Sequence, residues 1–112
     1  MRSLAAEITR EKLYHHLHQE LPYQSTVETV SWTDRKDGSA RIEQTIFVER
    51  DSQRKIVLGK GGATIKSIGA QARKELTEIL GHPVHLFLFV KVRPDWKNQP
   101  EMYNYLGLEY KQ

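Results

Sequence analysis

Apolar and polar residues along this chain of 112 residues follow two periods, one typical of helices and one typical of strands. Stretches rich in Ala, Glu, Lys and Leu with a period near 3.6 predict helices, and stretches rich in Val, Ile, Thr and aromatic residues with a period of 2 predict strands. In chain order the predicted elements are a helix 4–21, strands 23–34 and 41–50, helices 53–58 and 63–80, a strand 84–93 and a short final helix 100–106.

The two long helices differ in how their apolar residues are arranged. In the first helix, one apolar side comprises Leu13, Tyr14, Leu17 and Leu21. Leu4 and Ile8 lie on another side, and two apolar sides predict either two packing partners or a frayed start. The helix at 63–80 has one apolar side, which predicts a buried stripe made of Ile65, Ile68, Ala72, Leu76 and Ile79.

Turn signals between the elements predict how the strands pair. Asp37-Gly38 is a strong hairpin signal, so the first two strands are expected to be antiparallel. The connection to the third strand passes through two helices, and such a crossover makes the strands that it joins parallel. The sequence therefore predicts an α+β fold in which helices cover one face of a three-stranded mixed sheet.

The charge of the chain is modest in total but unevenly placed. The formal net charge is +3. Residues 52–74 carry six basic side chains and no acidic one, so this segment is +6, and the remaining 11 basic and 14 acidic residues make the rest −3. A basic segment on an acidic background indicates an anionic partner at one place, although a solvated basic helix face explains the charge alone equally well.

Composition excludes several classes of function. The chain has no cysteine, which excludes disulfides, thiolate zinc sites and cysteine nucleophiles. It has no apolar run of transmembrane length and no signal-peptide pattern at its start, which favours a cytosolic location. It lacks the motifs of metalloproteases and serine hydrolases, so the sequence predicts no enzymatic activity and no cofactor.

The glycine-rich loop Gly59–Gly62 is the most informative segment of the sequence. It separates two predicted helices, and glycine at each end of Gly-x-x-Gly allows a tight turn with no Cβ in the way. Backbone N–H groups at the start of the following helix favour anions. Lys60 in the turn and Lys66 one turn into the helix add charge attraction, so the loop suits close approach of a sugar-phosphate backbone.

Other glycine-rich sites do not fit this segment. A P-loop requires Ser or Thr after Gly-Lys, but Gly61 follows Gly59-Lys60. A dinucleotide-binding loop would need a third glycine at the position of Thr64 and a preceding strand, whereas the preceding pattern is helical. A plain turn between helices needs one or two glycines and no lysines, so backbone binding is the better interpretation.

The element order αββααβ together with this loop resembles a type II KH domain. A longer set of segments resembles, more specifically, the C-terminal KH domain of the Era GTPase family. These segments are Arg10-Glu11-Lys12-Leu13, Glu20-Leu21-Pro22-Tyr23, residues 56–69, Ala72-Arg73, Pro83-Val84-His85-Leu86 and Val90-Lys91-Val92. The resemblance covers nearly the whole chain, whereas Gly-x-x-Gly alone would indicate only a KH domain.

The resemblance implies which residues bind single-stranded RNA and how. The backbone would be clamped by Gly59, Lys60, Gly61 and Gly62. The apolar floor of a groove under the bases would consist of Ile56, Val57 and Ile65. The groove would be flanked by Lys66 and Arg73, and longer-range attraction would come from Arg54, Lys55 and Lys74.

The resemblance also implies the partners and the domain organisation. The RNA would be the 3′ end region of small-subunit ribosomal RNA, bound by a monomer on a precursor of the 30S-type subunit. Residues 1–22 would form a helix that belongs to the KH domain and leads from a GTPase domain, and residues 23–112 would form the rest of the KH domain with a tail. No GTPase motif is present, so GTP hydrolysis is not carried over. Leu4 and Ile8 are then expected to face the absent domain or its linker. A full-length protein would be cytoplasmic, with peripheral inner-membrane association as a further option.

The aromatic residues of the strands leave an alternative open. Phe47, Phe87 and Phe89 are predicted on strand faces opposite the rows of Val, Leu and Ile. They would form a stacking or docking surface, or else be covered by the tail residues Trp96, Tyr103 and Tyr105, which is the preferred interpretation. A docking surface would make the chain a protein-interaction module with a vestigial loop, and the groove itself does not exclude single-stranded DNA.

Three residues of the first helix have metal-ligand spacing. His15 and His18 lie three residues apart, with Glu11 one turn before them. No further ligand converges on them in the sequence, so an exposed polar face is preferred and no metal site is predicted.

Overall fold

A computed structural model describes residues 1–17 and 25–94 of the chain. In chain order its elements are α1 (Arg2–Leu17), β1 (Thr26–Asp34), β2 (Ala40–Val48), α2 (Asp51–Leu58), a 3₁₀ turn (Lys60–Gly62), α3 (Ala63–Leu80) and β3 (Val84–Val92). The predicted order αββααβ is confirmed. The predicted final helix 100–106, the residue Leu21 and the tail lie outside the described residues.

The three strands form one mixed sheet in the order β1-β2-β3. β1 and β2 are antiparallel, and their register shifts between Thr29 and Ser31. β2 and β3 are parallel, with Ala40 opposite Val84 at one end and Val48 opposite Val92 at the other. Both predicted pairing directions are therefore confirmed.

Helices cover one face of this sheet and enclose two apolar clusters. The hairpin-end cluster, near the turn between β1 and β2, consists of Ala5, Ile8, Ala40, Ile42, Ala72, Leu76 and Val84. The loop-end cluster, near the glycine-rich loop, consists of Leu13, Leu17, Ile46, Val48, Val57 and Ile68. Because α1 and α3 contribute to both clusters, these helices fix the loop at one end of the domain and the hairpin at the other.

A polar pair lies in the middle of the contact between α1 and the sheet. Thr9 and Gln44 are fully buried, and the Thr9 hydroxyl donates to Gln44 Oε1. Gln44 Nε2 donates to Thr29 Oγ1 (3.3 Å), and the Thr29 hydroxyl donates to the carbonyl of Arg2 (3.0 Å). Because a buried polar group is costly unless it is hydrogen-bonded, these bonds favour one position of α1 on the sheet.

The prediction that Ile8 faces an absent domain is wrong. Ile8 is 4% exposed and belongs to the hairpin-end cluster, whereas Leu4 is 38% exposed and Tyr14 is 54% exposed. The buried side of α1 consists of Ala5, Ile8, Thr9, Leu13 and Leu17. The polar residue Thr9 lies near the middle of this side, so an apolar pattern does not show it as one continuous stripe.

The buried stripe of α3 also differs from the prediction at one end. Ile79 is 46% exposed. Leu80 packs against the hairpin-end cluster instead, because the stripe advances in steps of four residues through Ile68, Ala72, Leu76 and Leu80.

Candidate nucleic-acid interface

The glycine-rich loop joins α2 to α3 through backbone conformations that favour glycine. Gly59 (φ 73°, ψ 175°), Gly61 (φ 62°, ψ 21°) and Gly62 (φ 78°, ψ 12°) all have positive φ. The N–H of Gly62 donates to the carbonyl of Gly59 (3.1 Å) and closes the turn. The loop uses glycine at three of its four positions, which is more than a plain turn between helices requires.

The glycines of the loop have different surroundings. A Cβ on Gly59 would lie 2.7 Å from Thr64 Cβ and 2.9 Å from Thr64 N, because the first turn of α3 approaches it closely. A Cβ on Gly61 or Gly62 would meet nothing within 4 Å. The outer side of the loop around the exposed Lys60 is therefore open, and a ligand can approach its backbone.

A groove of about 370 Å³ begins directly after the loop, between α3 and β3. The α3 wall consists of Ile65, Lys66, Gly69, Ala70 and Arg73, and the β3 wall consists of Leu86, Phe87, Leu88 and Phe89. A Cβ on Gly69 would lie 3.5 Å from Leu88 Cδ1, so the two walls come close together at this point. The groove has an apolar floor and cationic side chains on its α3 rim.

Three cations at the groove have no ion-pair partner within residues 1–17 and 25–94. Lys60, Lys66 and Arg73 are exposed, and no described carboxylate lies within ion-pair distance of any of them. Lys66 and Arg73 are two turns apart on the same side of α3. Their charges are thus available to an anionic chain that runs along the groove from the loop.

The basic residues of α2 are partly neutralised. Arg54 Nε donates to Asp51 Oδ1 (2.8 Å), and Lys55 Nζ lies 3.7 Å from Asp51 Oδ2. The hydrogen bond from Arg54 is the main reason that the pKa of Asp51 lies below its usual value. Asp51 precedes the segment 52–74, so the predicted charge of +6 overstates the charge that is free at the site.

The three apolar residues predicted for the groove floor are not equivalent. Ile65 lines the groove, whereas Ile56 is half-buried beside the loop-end cluster. The assignment of Val57 to the groove floor is wrong, because its side chain is fully buried in the loop-end cluster. The second half of the floor comes from Leu86 and Leu88 of β3. Sequence reasoning missed these residues because the predicted pairing of β3 with β2 does not show which helix packs beside β3.

The open face of the sheet, meaning the face away from the helices, carries the predicted aromatic residues. Phe87 and Phe89 are 42% and 48% exposed, and Phe47 is half-buried. The guanidinium of Arg41 lies 4.5 Å from the centroid of the Phe87 ring, and that of Arg93 lies 4.2 Å from the centroid of Phe47. The tail residues predicted to cover these rings, Trp96, Tyr103 and Tyr105, lie outside the described residues.

The histidines of α1 have other neighbours in the structure. The rings of Tyr14 and His15 make an edge contact with centroids 6.2 Å apart, and His16 Nε2 lies 3.3 Å from Gln71 Oε1. His18 lies outside the described residues. In the part of the chain that the structure describes, no three of these ligand types converge on a metal position. No helix of that part is long and apolar enough to cross a membrane.

A Gly-x-x-Gly loop between two helices, beside a groove against an edge strand, defines a KH domain. The family model described as KH domain matches residues 20–97, which is more than half of the chain. The chain therefore belongs to the KH domain family.

Curated relatives specify the family further. The chain is 80% identical over 110 residues to GTPase Era of Bradyrhizobium sp. (strain BTAi1), a match that covers 98% of this chain and 36% of the relative. It is 67% identical over 110 residues to GTPase Era of Brucella suis, with 98% of this chain and 35% of the relative covered. The chain thus spans about a third of the length of these relatives, and the predicted resemblance to the Era family is confirmed.

Two solved structures have the same fold. One is an Era variant from Aquifex aeolicus bound to GDP and AlF4−, and the other is Era in complex with MgGDPNP and nucleotides 1506–1542 of 16S ribosomal RNA. Each matches with a TM-score of 0.81 and 41% sequence identity, over 89% of this chain and 34% of the other. The predicted α+β KH fold is confirmed by this similarity.

Proposed function

We propose that this domain binds single-stranded RNA in the groove between α3 and β3, and that the RNA is the 3′ end region of small-subunit ribosomal RNA. The loop binds the sugar-phosphate backbone, and the cations Lys60, Lys66 and Arg73 lie near the phosphates. The bases lie against Ile65 and the leucines of β3. KH domains hold about four nucleotides in such a groove.

The observation that carries this proposal is the position of the three cations without described ion pairs. Lys60 lies in the open glycine loop, and Lys66 and Arg73 lie along one rim of the apolar groove that starts there. An apolar floor suits the faces of bases, and a cationic rim suits the phosphates beside them. A protein-binding groove would not need both features on the same side of the helix.

The Era structure in complex with nucleotides of 16S ribosomal RNA supports the choice of RNA, because a relative of the same fold binds it. In this proposal the domain acts as a monomeric recognition module on a precursor of the small ribosomal subunit. The GTPase chemistry would belong to the rest of the full-length protein, and the domain itself would contribute binding.

The proposal is tested with the double substitution Lys60→Asp and Gly61→Asp. It reverses the charge of the loop, and Asp is among the residues that best tolerate positive φ. Fluorescence anisotropy with a labelled oligonucleotide from the 3′ end of small-subunit ribosomal RNA should show a loss of affinity of at least about a hundredfold, or about 2.7 kcal/mol. Circular dichroism and thermal unfolding check that the domain remains folded.

The hairpin turn offers a matched control. Lys36→Asp with Gly38→Asp makes the same chemical change at the other end of the domain, where Gly38 also has positive φ (89°) and open surroundings. This variant should bind RNA like the wild type. If the loop variant also binds RNA like the wild type, the groove is not the RNA site. If the wild type binds a matched DNA oligonucleotide as tightly as the RNA, the ligand class is single-stranded nucleic acid in general.

A further inference from the structure

One row of side chains on β3 combines aromatic rings with cations. Alternate residues of the strand face the helices, and the row on the open face consists of His85, Phe87, Phe89, Lys91 and, just after the strand, Arg93. No acidic residue occurs between Val84 and Arg93, but Arg93 Nη1 lies 3.4 Å from Glu28 Oε1 of β1, so Lys91 is the cation of the row without a described ion pair. Surfaces that bind single-stranded nucleic acids use this combination, because rings stack on bases while cations attract the phosphates.

Phe89 is the aromatic residue of this row whose ring face is not covered by a described arginine. It is 48% exposed, and no arginine of the described part of the chain lies over it, in contrast to Phe47 and Phe87. It lies opposite Thr45 of the central strand, which is buried. The strand pairing therefore fixes the backbone at Phe89, so a base that stacks on the ring has only the side-chain rotations of Phe89 left to restrict.

Phe87 lies two residues before Phe89 and is already covered on one side by Arg41. The Arg41 guanidinium is held by Glu43, at 3.0 Å between Nη1 and Oε2, and Glu43 also accepts a hydrogen bond from the Ser31 hydroxyl (3.0 Å). Glu43 neutralises much of the Arg41 charge, so what this guanidinium adds next to the Phe89 position is a fixed plane on which a base can stack.

The row is continuous with the groove. Phe87 and Phe89 contribute to the groove wall together with α3 residues such as Lys66 and Arg73. Among the described elements β3 is an edge strand, and its outer edge separates the groove from the open face. A nucleotide that follows the groove-bound nucleotides therefore reaches the open face by passing this one strand edge.

We propose that Phe89 stacks on a base of a nucleotide that flanks the groove-bound segment of the RNA, beside the Arg41–Phe87 pair. This inference rests on the proposed function and extends the RNA site from the groove to the open face. The groove holds about four nucleotides, so the extended site covers more than that number.

The test compares a short oligonucleotide of about four nucleotides, which fills the groove, with one extended by about four nucleotides. Phe89→Ala should weaken binding of the extended RNA by about fivefold or more, the effect of losing one stacked base. Because Phe89 also contributes to the groove wall, the short RNA should be weakened as well, but by a clearly smaller factor. An equal loss for both RNAs would refute the flanking contact. Phe89→Leu keeps an apolar side chain without a ring and should show the same loss as Phe89→Ala. Phe89→Trp should retain tight binding.

Two further measurements separate stacking from a general effect on the surface. Tyr14→Ala removes an exposed ring on α1 and controls for the loss of aromatic surface. It should change the affinity for neither the short nor the extended RNA. A 2-aminopurine at the flanking position should lose fluorescence on binding to the wild type and keep it with Phe89→Leu. Thermal unfolding checks that each variant is folded.

The stacking inference and the proposed function fail in different ways. If the loop variant loses both oligonucleotides but Phe89→Ala loses neither, the stacking site is refuted and the groove function stands. If Phe89→Leu binds the extended RNA like the wild type, the contact is apolar and stacking is refuted. If the loop variant retains both oligonucleotides, the proposed function itself is wrong.

Discussion

The two ends of this domain are made of similar residues but present different surfaces. At the hairpin end the chain reverses through Arg35-Lys36-Asp37-Gly38, and at the loop end it reverses through Gly59-Lys60-Gly61-Gly62. Both turns contain lysine and glycine with positive φ, and each lies near its own apolar cluster. The difference lies in what surrounds the charges and the backbone.

At the hairpin end the polar groups bond to one another within the turn. Asp37 Oδ1 accepts hydrogen bonds from the hydroxyl (2.6 Å) and the N–H (2.9 Å) of Ser39, and these bonds, led by the hydroxyl, hold the pKa of Asp37 below its usual value. The N–H of Gly38 donates to the carbonyl of Arg35 (3.1 Å). The carboxylate also offsets the neighbouring basic charges.

At the loop end no carboxylate lies within the turn, and a groove with an apolar floor adjoins it. A basic glycine turn is therefore not an anion site by itself. It becomes a candidate only where the cations lack carboxylate partners, the backbone is open and a groove continues from it.

Exchanging one glycine at each end for alanine should show the strongest contrast between them. Gly59→Ala combines a disfavoured positive φ with a steric clash against Thr64, and we expect a loss of at least about 2 kcal/mol in the free energy of unfolding and at least tenfold in RNA affinity. Gly38→Ala meets no atom within 4 Å and should cost about 1 kcal/mol without changing RNA affinity. Urea unfolding and anisotropy measure the two quantities, and equal effects at the two ends would break the comparison.

The salt dependence of RNA binding sharpens the comparison further. Each phosphate neutralised on a single strand contributes a slope of about −0.7 in log K against log salt, so three cations predict about −2. Lys66→Gln should reduce the steepness by about 0.7, because its charge lies at the groove without a described partner. Lys36→Gln at the hairpin should leave the slope unchanged. Equal slopes for the two variants would place the phosphates away from α3.

A smaller effect on RNA affinity is expected from replacing Asp51, the acidic residue that partly neutralises the basic residues of α2. Asp51→Asn should free Arg54 and Lys55, and RNA affinity at low salt should then rise about twofold. The melting temperature should fall slightly, because an acidic residue at the start of a helix is favourable. Glu78→Gln makes the same charge change far from the loop and should not raise affinity. An unchanged affinity for Asp51→Asn would mean that α2 does not contribute to binding.

The smallest effect concerns pH at the hairpin end. Since the pKa of Asp37 is lowered in the folded state, its contribution to stability is present above its ordinary pKa near 4 and is lost as the pH falls through the lower folded value. Asp37→Ala should therefore lower the melting temperature slightly at pH 7, and the difference from the wild type should shrink below about pH 4. RNA affinity at pH 7 should not change. A difference that persists at low pH would rule out the carboxylate as its cause.

The elements of the fold could be predicted because each has a local signal. The helix predicted at 63–80 is observed as α3 (Ala63–Leu80), since Gly62 and Gly81 with positive φ bound it at both ends. The Asp-Gly hairpin and the two-helix crossover correctly determined the pairing directions. The loop glycines, Lys60, Lys66 and Arg73 are likewise local features, and the structure places Lys66 and Arg73 along the groove that begins directly after the loop.

The features that sequence reasoning missed depend on contacts between distant residues. Thr9 is buried only because Gln44 on β2 meets it, and that polar pair interrupted the apolar pattern of α1. Val57 shares a short helix with exposed residues, and only the packing of α2 shows that its side chain is enclosed. The β3 wall of the groove likewise requires the three-dimensional arrangement. The effect of Asp51 is, in contrast, local, because Arg54 and Lys55 follow it by three and four residues on the same helix.

An NMR titration of the ¹⁵N-labelled domain with an oligonucleotide from the 3′ end of small-subunit ribosomal RNA would locate the binding site residue by residue. The groove assignment predicts that amide shifts concentrate at residues 56–73 and along β3, while residues 35–39 of the hairpin and the N-terminal half of α1 remain unchanged. Shifts centred on the hairpin end or on α1, with none at residues 59–66, would contradict it.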